Sequence, residues 1–163
     1  FGTLIALARN GKPVLGIMDQ AISGERWVGA MDGTASLNGA AIKTSNNEDI
    51  STARLFTTSM SYYGPEQLDG FNRLSEAVSL NRMGTDCYAF AMLATGFVDM
   101  VTEGYFNEWD IAALVPIIEN AGGVVTDWDG APLRFEGQVA INNVIAAANP
   151  GIHAKALAIL QGK

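Results

Sequence analysis

The first third of the chain is a series of short apolar runs separated by turn dipeptides. Residues 1–9 read as a strand, Asn10-Gly11 is a strong hairpin signal, and Val14 to Asp19 reads as the returning strand. Ser23-Gly24 predicts a second turn and Arg26 to Ala30 a third strand, so the chain opens on an antiparallel meander. Asp32-Gly33 and Asn38-Gly39 mark further turns. The polar stretch from Thr44 to Thr52 reads as a linker and places a boundary near residue 50. That boundary divides the chain into an antiparallel-sheet part, 1–50, and an α/β part, 51–163.

After residue 50 the period lengthens. Leu55 to Thr58 reads as a strand, and Pro65 to Ser79 sets Leu68, Phe71, Leu74 and Val78 at helical spacing. A short strand ends at Arg82-Met83 before Gly84, and an apolar helix from Asp86 to Thr95 is closed by Gly96. Val98 to Thr102 is a strand; Asp110 to Ala121 is a helix with Asp110 as N-cap and Gly122-Gly123 as stop. Val124 to Asp127 and Asn143 to Ala148 are strands, Asp129-Gly130 a turn, and Pro150 opens a last helix to Leu160. Strands alternating with helices predict a mixed or parallel sheet covered by helices.

Composition narrows the function classes. Hydrophobic residues make up 48% of the 163 and charged residues 17%, against roughly 25% charged in an average domain, so there is material for one sizeable core. A net charge of −7 without a basic block argues against a nucleic-acid partner. No apolar run reaches the roughly 18 residues of a membrane span, and no signal peptide is visible. The single Cys87 excludes a disulfide framework and a multi-cysteine metal site, and a reducing cytoplasm is the default. The chain opens at Phe1 inside an apolar strand, which reads as the C-terminal piece of a longer protein.

Three places offer chemistry. Asn107-Glu108-Trp109-Asp110 holds a carboxylate at a helix start, either a plain cap or a ligand for a hard cation. Gly84-Thr85-Asp86 lies between a strand and a helix, where free N–H groups suit an anion, although such turns are common. Glu103 follows an apolar strand at the end where open α/β sheets place their sites, or is a solvated strand end. Asp32-Gly33-Thr34 reads as a turn, and Asp127-Trp128-Asp129-Gly130 lacks the later Glu of a calcium loop. His153, with no neighbouring ligand residue, is expected at the surface, and Cys87 is expected to pack in its helix.

Trp109-Asp110-Ile111-Ala112-Ala113 followed by Ile118-Glu119-Asn120-Ala121-Gly122-Gly123 resembles the C-terminal signature of the inositol monophosphatase family. Gly84-Thr85, Ala94-Thr95-Gly96, Asp99 and Glu103 fall in the family's order, and Pro13 to Asp19 and Leu37-Asn38-Gly39 resemble its middle region. Phe1 to Leu7, Gly24 to Gly29, Asp86 to Ala89, Asp110 to Pro116 and Thr126 to Gly130 resemble the histidinol-phosphatase branch, while Tyr105 to Trp109 departs from that branch's usual Lys-Pro-Tyr run. The resemblance implies a truncated, layered α-β-α-β-α sugar-phosphatase fold, with residues 1–50 as the remainder of the metal-binding domain. It implies a phosphomonoesterase using two or three Mg²⁺ ions and acting on a small phosphomonoester, and a homodimer is expected. Histidinol phosphate is the expected substrate, with inositol 1-phosphate or another sugar phosphate as the alternative; a catalytically dead interaction module is the alternative of another class. It implies Asp110 as metal ligand and Gly84, Thr85, Asp86 and Glu103 as substrate contacts. The other ligands, an upstream Glu and a DPxDGT motif, are expected before Phe1, so the piece alone is expected to be inactive.

Overall fold

Asn10 and Gly11 both take positive φ, 52° and 72°, the backbone of a two-residue hairpin turn whose twist matches its strands. They join β1 (Thr3–Arg9) to β2 (Lys12–Gln20), with Ile5 opposite Ile17. β3 (Glu25–Gly29), β4 (Ala35–Leu37) and β5 (Ala40–Ala41) complete a five-stranded antiparallel sheet in sequence order. The computed structural model describes every residue except Glu136, Gln138 and Val139.

The second sheet is mixed, as the alternation of elements predicts. β6 (Arg54–Thr57), β7 (Leu80–Met83) and β8 (Met100–Glu103) run parallel with β6 in the middle. β12 (Val144–Ala147) runs antiparallel to β8 on one side and to β10 (Val124–Thr126) on the other. A two-residue ladder joins β9 (Phe106–Asn107) to β11 (Ala140–Ile141). β4, β5, β9 and β11 are too short to show a period, which hides them from pattern reading.

α2 (Asp86–Ala94) and α4 (Leu114–Asn120) fill the space between the two sheets. Their apolar cluster takes Met18 and Trp27 from the first sheet and Val101, Val144 and Ala146 from the second. α1 (Pro65–Ala77) and α5 (Pro150–Leu160) cover the far face of the mixed sheet over Leu55, Phe71, Leu74, Ile145 and Ile152. The order is sheet, helices, sheet, helices: four layers of the expected α-β-α-β-α stack.

Two glycines set the distance between the first sheet and α4. Gly16 and Gly29 are cross-strand partners. A Cβ on Gly16 would overlap the carbonyl of Ala113, and one on Gly29 would overlap the backbone of Pro116 and Ile117. The helix therefore seats on bare backbone at the one position where both strands lack a side chain.

Three expectations need correction. The helix expected over Asp110 to Ala121 is two: α3 (Glu108–Ile111) and α4, separated at Ala112-Ala113. Pro116 is the reason. In one continuous helix its missing N–H would leave the Ala112 carbonyl unpaired, whereas as the third residue of α4 it needs no intrahelical partner. Asp110 is accordingly not an N-cap but the third residue of α3, its carboxylate accepting the backbone N–H of Asn107 at 3.0 Å. His153 is buried, not at the surface, and its Nε2 lies 2.8 Å from the Thr126 hydroxyl.

The 44–52 stretch connects the sheets but is fastened along its length. The Ser45 hydroxyl donates to Asp99, the Asn149 amide to the Asn47 carbonyl, and Lys155 to the Glu48 carbonyl. Its polarity marks a strap held by hydrogen bonds, and the apolar cluster between the sheets runs across it.

Candidate active site

Because β6 and β8 are parallel, their C-terminal ends emerge side by side. Leu55 lies beside Met100 and Phe56 beside Val101, so the next steps bring Thr57 and Thr58 to Thr102 and Glu103. The Glu103 carboxylate is 6% exposed. Its Oε1 accepts both the backbone N–H and the hydroxyl of Thr58 at 2.8 Å, and the Thr57 hydroxyl lies 3.3 Å from Oε2. Most carboxylates of this kind would be solvated strand ends; here two threonines on the neighbouring strand hold the group inside.

Among the described residues no cationic side chain bonds to it. A cavity of about 490 Å³ is lined by Glu103, Asp86 and Asp110, with Thr58, Tyr62, Cys87, Phe90, Tyr105, Phe106 and Asn107 among its walls, and no Lys, Arg or His lines it. Burial, with a smaller push from the Asp86 charge, raises the Glu103 carboxyl from 4.5 to about 7 against the hydrogen bonds from Thr58. Proton counting leads the same way. The Tyr63 hydroxyl donates its one proton to the Thr102 carbonyl at 2.8 Å. It lies 2.9 Å from the Thr57 hydroxyl, which must then supply the proton of that bond. Thr57 has a single proton and cannot also donate it to Glu103, and a protonated Oε2 removes the competition.

Asp86 lines the same cavity from the start of α2. Its φ of 44° is unusual for a residue with a side chain and follows Gly84 at 88°, so the backbone between β7 and α2 is sharply turned. Gly84 and Thr85 stand beside the cavity without lining it. The Gly84 N–H is committed to the carbonyls of Thr57 and Thr58, both at 3.1 Å, so it is not the free donor the sequence suggests. The Thr85 hydroxyl, by contrast, is buried without a hydrogen-bond partner, the condition of a group waiting for one.

Asp110 is exposed on the cavity wall. Oδ2 takes the Asn107 N–H and lies 3.4 Å from the Asn107 amide, which leaves Oδ1 as an oxygen donor for a hard cation. The described residues contain no group of three or more acidic, histidine or cysteine side chains able to hold a metal. Among the described residues a metal therefore finds no complete set of ligands, and Asp110 offers one open carboxylate oxygen.

The other motifs are structural. Asp32 accepts the N–H and hydroxyl of Thr34, and Asp127 accepts the N–H groups of Asp129 and Ala131. Burial, then Asp86, raise the half-buried Cys87 thiol, which keeps it protonated and unreactive.

The model of the inositol monophosphatase family matches residues 1–163. The chain belongs to that family. It is 44% identical over 165 residues to the chloroplastic bifunctional phosphatase IMPL2 of Arabidopsis thaliana, covering 99% of this chain and 48% of the relative. A histidinol-phosphatase of Streptomyces coelicolor is 33% identical over 153 residues, covering 88% of this chain and 58% of that protein. A solved inositol monophosphatase from Zymomonas mobilis superimposes with a TM-score of 0.93 at 40% identity, over 99% of this chain and 62% of that one. The chain thus spans about half the length of the curated relatives it matches.

Thr57, Thr58 and Tyr63 escaped the reading of the sequence. The signal was present: the rule that draws attention to Glu103 at the end of one strand applies equally to Thr58 at the end of its parallel neighbour.

Proposed function

We propose that this chain supplies the leaving-group half of the site of a Mg²⁺-dependent phosphomonoesterase, and that its substrate is histidinol phosphate. The supporting observation is Glu103: a buried carboxyl without a cation, sharing a cavity with Asp86 and Asp110. Desolvated carboxylates facing a neutral polyol are costly. An ammonium group on the leaving alcohol relieves that cost through charge-assisted hydrogen bonds. The likeness to a histidinol-phosphatase supports the same substrate. Inositol 1-phosphate is the second reading, favoured by the likeness to the Zymomonas mobilis enzyme.

Asp110 would hold Mg²⁺ through Oδ1, the Asn107 N–H fixing the other oxygen. A metal held there would supply positive charge for the phosphate and lower the pKa of a water. Glu103 and Asp86 would orient the ammonium, and the unpartnered Thr85 hydroxyl, buried beside the cavity, would meet the substrate only if the turn at Gly84 shifts. Gly84 shapes the turn. On this reading the other metal ligands would come from outside these residues, and the isolated chain is expected to be inactive.

The test uses the full-length protein. kcat/KM is measured for histidinol phosphate and inositol 1-phosphate in wild type, Glu103→Gln and Asp86→Ala. Histidinol phosphate should be preferred, and each variant should weaken it selectively. Preference for inositol phosphate, or equal loss of both activities in both variants, refutes the histidinol assignment. Ammonium binding needs ionised Glu103, whose carboxyl sits at about 7. KM for the amine substrate should therefore climb as pH falls below 7, up to about tenfold per pH unit, more steeply than KM for inositol phosphate.

A further inference from the structure

Beside the acidic cavity lies a second, more open one of about 700 Å³, lined by Tyr62, Gly64, Pro65, Glu66, Gln67, Tyr105, Asn142 and Asn143. Tyr62 and Tyr105 line both. The two aromatic side chains form a wall shared by both cavities.

The backbone fixes their spacing. The Tyr105 N–H donates to the Tyr62 carbonyl at 2.8 Å. A Cβ on Gly104 would overlap that same carbonyl, so only glycine lets the two loops meet. The rings themselves are half-exposed, 50% for Tyr62 and 55% for Tyr105. Among the described residues, neither phenol hydroxyl hydrogen-bonds to another protein group. The anchor is rigid while the ring faces remain available.

The outer cavity has a built floor. Gln67 accepts the Gly64 N–H and donates to the Asn142 carbonyl at 2.7 Å. Asn143 accepts the Trp128 N–H at 2.7 Å. Glu66, on the first turn of α1, lines the cavity, and no Lys, Arg or His lines it. Both cavities carry carboxylates and, among the described residues, neither is lined by a cationic side chain, so the two adjacent spaces suit a ligand that is positive or hydrogen-bond donating along its length.

We infer that Tyr62 and Tyr105 bind a planar heteroaromatic ring at the distal end of the leaving group, with Glu66 facing the ring's N–H. The inference extends the histidinol phosphate reading and depends on it. In that substrate the ammonium lies between the phosphate and the ring. The acids of the inner cavity therefore take the ammonium while the ring reaches the tyrosine wall. A polyol has no ring to pack on those faces and gains less from them. Offset or edge-on packing against two tyrosines adds to affinity beyond the area buried, and a cationic ring adds attraction to their faces.

The experiment compares the full-length protein with Tyr62→Ala, Tyr105→Ala, Tyr62→Phe, Tyr105→Phe and Glu66→Gln. kcat/KM is measured for histidinol phosphate and for glycerol 2-phosphate, which has no ring, and the readout is their ratio. Each alanine variant should lower the ratio about fivefold to tenfold, and Glu66→Gln about twofold. The phenylalanine variants should keep it, since the ring and not the hydroxyl does the binding. If wild type prefers glycerol 2-phosphate, the histidinol reading falls and this inference with it. If wild type prefers histidinol phosphate while the alanine variants keep the ratio, by equal loss or by no loss, the tyrosine wall alone is refuted.

Discussion

β8 carries a buried carboxylate at each end, and the two live in opposite surroundings. Asp99, just before the strand, is fully buried. It receives the Arg54 guanidinium at 2.9 and 3.2 Å, the Arg54 backbone N–H at 2.9 Å and the Ser45 hydroxyl at 2.5 Å. Burial works to raise its pKa, but these donors outweigh it and hold the carboxyl below 3.8. Glu103, at the other end, receives hydroxyl and N–H donors but no cation, and its carboxyl rises to about 7. The same strand thus shows what a carboxylate with a structural role and one suited to a ligand look like. The first is saturated; the second is left short of one positive charge.

Breaking the saturated end should destabilise the fold outright. Asp99→Ala would leave the Arg54 N–H and the Ser45 hydroxyl without their acceptor. The expected loss is about 2–3 kcal/mol, toward the lower end of buried ion pairs because the Arg54 side chain, 38% exposed, can turn to water. Tm should drop by roughly 5–10 °C, read by thermal unfolding at pH 7. In wild type this contribution is present above 3.8 and is lost as pH falls through the depressed native pKa. A loss under 0.5 kcal/mol would mean that the strap from Thr44 to Thr52 is held by other bonds.

The unsaturated end should respond with the opposite sign. Glu103 has a native pKa above its unfolded one, so its contribution is full below 4.5 and is lost as pH rises through about 7. The movement from 4.5 to about 7 corresponds to about 3 kcal/mol. Glu103→Gln keeps an oxygen for Thr58 and cannot ionise. It should gain on wild type by up to that amount between pH 5 and pH 8.5, measured by urea unfolding of the isolated chain without metal. A pH-independent difference would place the carboxylate in water.

Asp110→Asn should separate stability from function. Asn retains an oxygen to accept the Asn107 N–H, so the isolated chain should change by only a few tenths of a kcal/mol. In the full-length protein most Mg²⁺-dependent phosphate release should be lost. Full activity at low Mg²⁺ would leave Asp110 as a helix-start group alone.

These contrasts show why parts of the molecule were readable from sequence and others were not. The meander was legible because Asn10-Gly11 encodes its turn locally, and the mixed sheet because strands and helices alternate. The divided helix before Asn120 was hidden by a periodicity that outweighed Pro116. The burial of Glu103 and of His153 was hidden because it is decided by partners far along the chain, Thr58 and Thr126. The grip of Gly16 and Gly29 on α4 was hidden for the same reason. Asp86, Glu103 and Asp110 could be named in advance from the family's pattern, but their shared cavity and its lack of a cation belong to the folded chain.

The smallest expected effect tests whether the acids of the cavity sense one another. Asp86 is exposed, and its charge is the last contributor to the raised pKa of Glu103, behind burial and opposed by the threonine hydrogen bonds. Asp86→Asn removes that charge and keeps the side-chain shape. Asn also tolerates the left-handed backbone at this position, where φ is 44°. The Glu103 midpoint should therefore move down, toward 4.5, while staying above it, because burial is untouched. A carboxyl-carbon NMR titration of the isolated chain reads this directly. High salt should shrink the difference between wild type and variant, since the Asp86 end of the interaction is open to solvent. A midpoint that does not move would mean that water screens Asp86 from Glu103 even within one cavity. The two acids would then act on a bound ammonium independently, and Glu103 would owe its place above the ordinary carboxylate range to burial alone.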